Sequence, residues 1–140
     1  MAIPSHIALE IVTPERSILH DKVDEVEIPG SDGYFGVLPG HAPLLASLQV
    51  GQLWYRKGGE TSYLSVAFGF AEVLPDRVTV LARIAERAEE IDVERAQAER
   101  QRAEEDLARR AVDVDLERAR ISLLKALTRL QVANRARTRV

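Results

Sequence analysis

Two rhythms of apolar residues divide the chain. In the first part the period is two: Ile7, Leu9 and Ile11 alternate with Ala8, Glu10 and Val12, and Pro14 ends the run. Val23 to Ile28 carries a second apolar set, which Pro29-Gly30 closes. Val50 to Arg56 and Thr61 to Phe68 flank Lys57-Gly58-Gly59-Glu60, the signature of a β-hairpin. Gly69 interrupts before Phe70 to Leu74, Pro75-Asp76 supplies a turn, and Arg77 to Leu81 alternates again. About eight short strands with closely spaced turn signals predict an antiparallel sandwich or barrel.

Further on the period lengthens. Leu116, Leu123 and Leu130 recur every seven residues, with Leu127 completing a narrow seam. An earlier stretch offers Ala96, Ala103 and Leu107 on the matching face. Two helices are predicted, and both open with the same phrase: Ile91-Asp92-Val93-Glu94-Arg95-Ala96 and Val114-Asp115-Leu116-Glu117-Arg118-Ala119. Each phrase puts an aspartate at the N-cap and a glutamate in the first turn. Arg109 to Asp113 would connect them, short enough for an antiparallel pair. The apolar stripe is thin, so the pair must lean on a sandwich, a partner or a ligand.

Composition sharpens that division. All 8 glycines and 6 prolines lie at or before Pro75, although the last strand extends beyond it. The expected fold is α+β, mainly β then α: an antiparallel β-sandwich over residues 1–87 and a two-helix hairpin over 88–140. The net charge of -3 is segregated: residues 118–140 hold seven basic side chains and no acid. Those residues are Arg118, Arg120, Lys125, Arg129, Arg135, Arg137 and Arg139, and they point to an anionic partner as well as to helix-dipole compensation.

Other chemistry is sparse. The chain has no cysteine, which removes disulfides and thiolate chemistry. The start, Met-Ala-Ile-Pro-Ser-His, lacks signal-peptide character, and no apolar run reaches the ~18 residues of a membrane span, so a soluble, cytoplasmic protein is expected. The histidines His6, His20 and His41 lack metal-ligand spacing, and no nucleophile or phosphate-loop motif occurs. The sequence therefore offers no catalytic residues, no metal site and no required cofactor.

The stretch Gly33-Tyr34-Phe35-Gly36-Val37-Leu38-Pro39-Gly40-His41-Ala42-Pro43-Leu44-Leu45 is the most distinctive one. Together with Val12-Thr13-Pro14, Gly69-Phe70-Ala71-Glu72-Val73 and the two-helix tail, it resembles the epsilon subunit of bacterial rotary ATP synthases, over essentially the whole chain. The resemblance implies a ten-stranded β-sandwich followed by a helical hairpin. It also implies a non-catalytic central-stalk subunit that binds the gamma subunit and the membrane rotor ring, coupling proton flow to ATP synthesis. Its helical tail would restrain ATP hydrolysis by switching between folded and extended positions. The subunit would sit on the cytoplasmic face of the bacterial plasma membrane, held there only through the complex.

Site residues follow from the same resemblance. Some relatives bind ATP on the hairpin through an Ile/Leu-Asp-x-x-Arg-Ala motif, which Ile91, Asp92, Arg95 and Ala96 match. Arg102, Lys125 and Arg129 match helping basic positions, and Glu86 and Arg87 stand where further nucleotide contacts are made. Guanidinium forks suit phosphate oxygens, while Lys125 brings only a point charge. ATP is thus a possible regulatory ligand. The recurrence of the phrase at Val114 to Ala119 supports a second reading, in which it is only a helix-start signature. Tyr34 and His41 are candidate interface residues of the sandwich, with Tyr34 standing where many relatives carry a polar residue. Arg118, Arg120 and Arg135 are candidates for pairing with acidic segments of the alpha and beta catalytic subunits. A freestanding nucleotide sensor is the rival reading. Nucleic acid is not an expected partner, because the first part is net acidic and the tail has no aromatic residue to stack bases.

Overall fold

The computed structural model describes residues 3–109 and 115–137, with Arg137 in backbone only. The chain divides into two compact units, Met1–Arg87 and Ala88–Val140. Apart from Arg109, the predicted Arg109–Asp113 connection falls outside the described residues, as does Arg139.

The first unit holds eight strands: β1 (Ile7–Val12), β2 (Ser17–Val23), β3 (Glu25–Gly30), β4 (Gly33–Val37), β5 (Leu44–Leu48), β6 (Gly51–Lys57), β7 (Glu60–Leu74) and β8 (Arg77–Arg87). They run in the order β2-β1-β8-β7-β5-β3-β4, with β6 pairing both β3 and β7. This β-sandwich closes around Leu9, Ile11, Ile28, Leu53, Leu64, Val73 and Val78, all fully buried or nearly so. The alternation in β1 does what it predicts: Ile7, Leu9 and Ile11 point inward and their neighbours are half-exposed.

Three details depart from the sequence pattern. Pro29 and Gly30 close the second run as expected, but as the last two residues of β3 rather than as a turn after it. Pairing of β3 with β6 covers Glu25 to Glu27, and pairing with β5 begins at Gly30. Pro29 lies in the gap between them, so its missing N–H costs no ladder bond, while its carbonyl still accepts the Gln49 amide at 3.0 Å.

Gly69 does not end a strand. The two runs on either side of it are one 15-residue strand, β7, which pairs β6 up to Val66 and β5 from Gly69 onward. The bend at that handover has positive φ at Phe68 (62°) and Gly69 (116°). A Cβ on Gly69 would collide with the Leu81 carbonyl, so the position needs glycine for space as well as for φ. With these runs merged, the described residues contain eight strands rather than ten. The sheet is also not purely antiparallel, because β1 runs parallel to β8, with Ala8 opposite Arg77 and Val12 opposite Leu81.

The predicted hairpin of β6 and β7 forms across Gly58-Gly59, with Gly58 at φ 61°. Asp24 secures it: its carboxylate accepts the Gly58 amide at 2.7 Å and meets Arg56 at 3.4 Å. That amide bond is the main reason the Asp24 carboxyl is held below its usual value.

The second unit begins with a single 3-10 turn, Ala88–Glu90, followed by helix α1 (Val93–Arg109) and helix α2 (Leu116–Arg137), which pack against each other. Neither is long and apolar enough to cross a membrane. The leucine seam is corrected here. Leu116 and Leu124 are exposed, and Leu123, Leu127 and Leu130 are only half-buried. Alanines recur among the buried positions at seven-residue spacing, Ala96 and Ala103 on α1 and Ala119, Ala126 and Ala133 on α2, joined by Thr128 and Val132 on α2. A face lined mainly by alanine lets the backbones approach closely, and leucine is too long for the line of closest approach.

Candidate functional site

The hairpin site is built from its two helix starts. Asp92 caps α1: its Oδ1 accepts the Arg95 amide at 3.1 Å, and its carbonyl accepts the Ala96 amide at 3.0 Å. Asp115 repeats this on α2, with Arg118 and Ala119, at the same distances. Both halves of the repeated phrase therefore serve as helix starts. The chemistry left over for a ligand lies in the side chains beyond the caps.

A cleft of about 580 Å³ runs between the helices, a size typical of small-molecule sites. Arg102, Arg118 and Lys125 supply cations to its walls, and Glu99, Asp106 and Asp115 supply carboxylates. Ser122 adds a hydroxyl, and Ala103 and Ala119 form the apolar part of the lining. Such a mixture can hold an anion on one side and accept hydrogen bonds from a polar group on the other. Glu99 stands at a junction: one oxygen accepts from Arg95 Nε at 3.1 Å, and the other accepts from Arg129 Nη1 at 3.1 Å across the helices. Arg129 is the buried member, with a side chain only 14% exposed.

Each expected residue can now be located. Arg102 and Lys125 share the cleft, and Arg95 and Arg129 are gathered by Glu99. Ile91 and Ala96 are buried, and the Asp92 carboxylate is occupied as a cap. Glu86 and Arg87 belong to β8 in the sandwich unit, where Arg87 Nη2 donates to the Ile18 carbonyl at 2.7 Å. On α2, Arg118 lines the cleft, while Arg120 is tied to Glu117 at 2.6 Å. That bond holds the Glu117 carboxyl below its usual value and raises Arg120. Arg135 is exposed.

Glu99 and Ser122 were not legible as site residues in the sequence. Glu99 carries a local signal, since it stands four residues after Arg95. Its partner across the helices leaves none.

The sandwich unit has a second distinctive surface. Phe70 on β7 sits opposite Leu81 on β8 and is 56% exposed, while Leu81 is 54% exposed. Leu45, 72% exposed, lies on the same face, because Leu45 pairs Glu72 and Ser47 pairs Phe70. Three large apolar side chains on one outer sheet face are the mark of a docking surface. In the sequence Leu45 and Phe70 belong to stretches that carry the family resemblance and Leu81 to a predicted strand, and none of the three was singled out as an interface residue.

Tyr34 is half-exposed, and its hydroxyl accepts the Gln52 amide at 3.0 Å. A Cβ on Gly51 would overlap that hydroxyl, so the ring seals against bare backbone. His41 is turned inward on its own loop, with Nδ1 donating to the Ala42 carbonyl at 2.6 Å.

Comparison with known proteins matches both units. Residues 6–88 fit the family model described as ATP synthase, Delta/Epsilon chain, beta-sandwich domain. Residues 89–134 fit its long alpha-helix domain. The ATP synthase epsilon chain of Koribacter versatilis is 56% identical over 98 residues, 70% of this chain and 69% of that one. The epsilon chain of Syntrophobacter fumaroxidans is 50% identical over 129 residues, 92% of this chain and 96% of its relative. Among solved structures, a chain in the OSCP/F1/c-ring assembly of Euglena gracilis mitochondrial ATP synthase superposes with a TM-score of 0.81. The two share 25% identity over 97% of this chain and 84% of that one.

Proposed function

Because the chain belongs to the ATP synthase epsilon-chain family, we propose that it works as the non-catalytic central-stalk subunit of a bacterial proton-driven ATP synthase. Its sandwich docks onto the gamma subunit and the membrane rotor ring, at the cytoplasmic face of the inner membrane. Its hairpin restrains ATP hydrolysis against the alpha and beta catalytic subunits. Membrane association comes only through the complex.

The observation that carries this reading is the apolar face of Leu45, Phe70 and Leu81 on the outside of the sandwich. Phe70→Asp together with Leu81→Asp puts two charges on that face and leaves the buried core untouched. Stoichiometric co-purification with the rotor subunits is expected for the natural chain and at least tenfold less for the double variant. Undiminished recovery would refute docking through this face. For the hairpin, removing residues after Arg110 is expected to raise the ATPase rate of the assembled enzyme, and an unchanged rate would count against restraint by α2.

A second reading adds nucleotide sensing. The cleft with Arg102, Arg118 and Lys125 supports it, since three cations around a small-molecule-sized space suit a polyphosphate. ATP in this reading is a regulatory ligand, bound while the hairpin is closed, and no cofactor is needed for assembly. Ligand in hundredfold excess over its dissociation constant would stabilise the closed form by about 2.7 kcal/mol. Calorimetric titration of the full chain with ATP, against Arg102→Ala, tests it, and absence of saturable heat at millimolar ATP would end it.

A further inference from the structure

We propose that Glu99 is a built-in competitor for the phosphate end of the hairpin cleft, an inference that rests on the nucleotide reading above. The Glu99 carboxylate spends both oxygens on guanidinium groups, Oε1 on Arg95 Nε and Oε2 on Arg129 Nη1, each at 3.1 Å. An anionic pair of oxygens held between two guanidiniums does chemically what two phosphate oxygens would do there. The side chain therefore occupies, from within the protein, the place a ligand anion would take.

Position reinforces the chemistry. Glu99 also lines the cleft that Arg102 and Lys125 open onto, so a polyphosphate held by those two cations meets this carboxylate. The ligand must either push Glu99 off Arg129 or bind beside a like charge. Both routes weaken binding, and the first also breaks an ion pair whose guanidinium side chain is only 14% exposed. The other carboxylates of the cleft have different commitments. Asp115 caps α2, and Asp106 pairs with Arg109 at 2.6 Å on its own helix. Glu99 alone among these three holds a cation of each helix.

The consequence is a hairpin that is tied across its helices without any ligand, and whose nucleotide affinity is set low by one residue. Glu99→Gln removes the competing charge and keeps the side-chain size. The test is calorimetric titration of the full chain, natural, Glu99→Gln and Asp106→Asn, with ATP and separately with inorganic tripolyphosphate. Glu99→Gln is expected to bind both about threefold to fivefold more tightly, the upper end of what releasing one partly exposed ion pair gives. Asp106→Asn is expected to change affinity by less than about twofold, and to separate general charge from competition. Equal affinity of the natural chain and Glu99→Gln overturns the proposal, as does an equal gain for Asp106→Asn. Absence of binding by all three chains defeats the nucleotide reading and the competitor with it, an outcome distinct from binding without gain.

A further measurement needs no substitution, in case Glu99→Gln loosens the hairpin. On saturating the natural chain with tripolyphosphate, the Glu99 side-chain carboxyl carbon resonance is expected to shift as the carboxylate leaves Arg129. A resonance unmoved at saturation overturns the proposal.

Discussion

The sandwich and the hairpin bury different chemistry. The sandwich closes over isoleucine, leucine and valine from every strand, many of them with no exposed surface at all. The hairpin buries mainly alanines, with Val132 its one fully buried larger apolar side chain among the described residues, and leaves its leucines at the margins. Each buried CH₂ contributes roughly 0.8 kcal/mol, so a leucine contributes several times what an alanine methyl does. The first unit is held by its core, while the second is held by close backbone approach, two aspartate caps and ion pairs. Such a difference gives the two units separate sources of stability.

The largest expected effect comes from breaking the first side of that contrast. Leu9→Ala should cost about 2–5 kcal/mol of sandwich stability, read by urea unfolding at the Trp54 fluorescence signal. A loss under about 1 kcal/mol would mean that the core tolerates a cavity there. The reverse experiment enlarges an alanine. Ala126→Leu, at a position with no exposed surface, should destabilise the hairpin by about 1–3 kcal/mol through overpacking. Hydrogen exchange should then quicken in α1 and α2 while the sandwich amides keep their protection.

Asp92→Ala and Asp115→Ala should each cost about 1 kcal/mol of hairpin stability, visible as lost ellipticity at 222 nm. Near-equal losses are expected, because the two caps have the same geometry.

The smallest effect is electrostatic and belongs to the sandwich. Lys57 Nζ meets both oxygens of Asp21 at 2.9 Å, which holds the Asp21 carboxyl below its usual value and raises Lys57 above its own. With a depressed folded value, the Asp21 contribution is present above the usual carboxylate value and fades as pH falls through the folded one. With a raised folded value, the Lys57 contribution is present below the usual ammonium value and fades as pH climbs through the folded one. The pair therefore adds no slope to stability between roughly pH 5 and pH 9. Lys57→Met should flatten only the acid and alkaline ends of the curve, measured by denaturant titration across pH.

What the sequence made legible follows from the same contrast. Period-two alternation found β1, the Gly58-Gly59 turn and the α+β order, because those signals are local. Gly69 was read as a stop, since a single strand gives no sign that its partner changes halfway along. The parallel pairing of β1 with β8 is a property of chain ends meeting and has no local signature. In the hairpin the caps at Asp92 and Asp115 were visible as a repeated phrase. The leucine heptad misled because it shows which residues are apolar, whereas closest approach is decided by which are small. The cleft cations Arg102 and Lys125 were found through family resemblance. Glu99 was missed because its second partner comes from the other helix.

The parallel β1–β8 pair also sets a schedule for synthesis. Residues 8 and 77 face each other, so the first strand made cannot find that neighbour until the last strand has emerged. At about 5–20 residues per second, that wait lasts on the order of 3–14 s, with a row of isoleucine and leucine held ready on the early strand. Nascent chains arrested after Pro75 should remain protease-sensitive, and chains extended well past Arg87 should resist cleavage. Equal resistance in both would show that β1 finds its place without β8. On this timetable the hairpin is made after a sandwich that has only just closed.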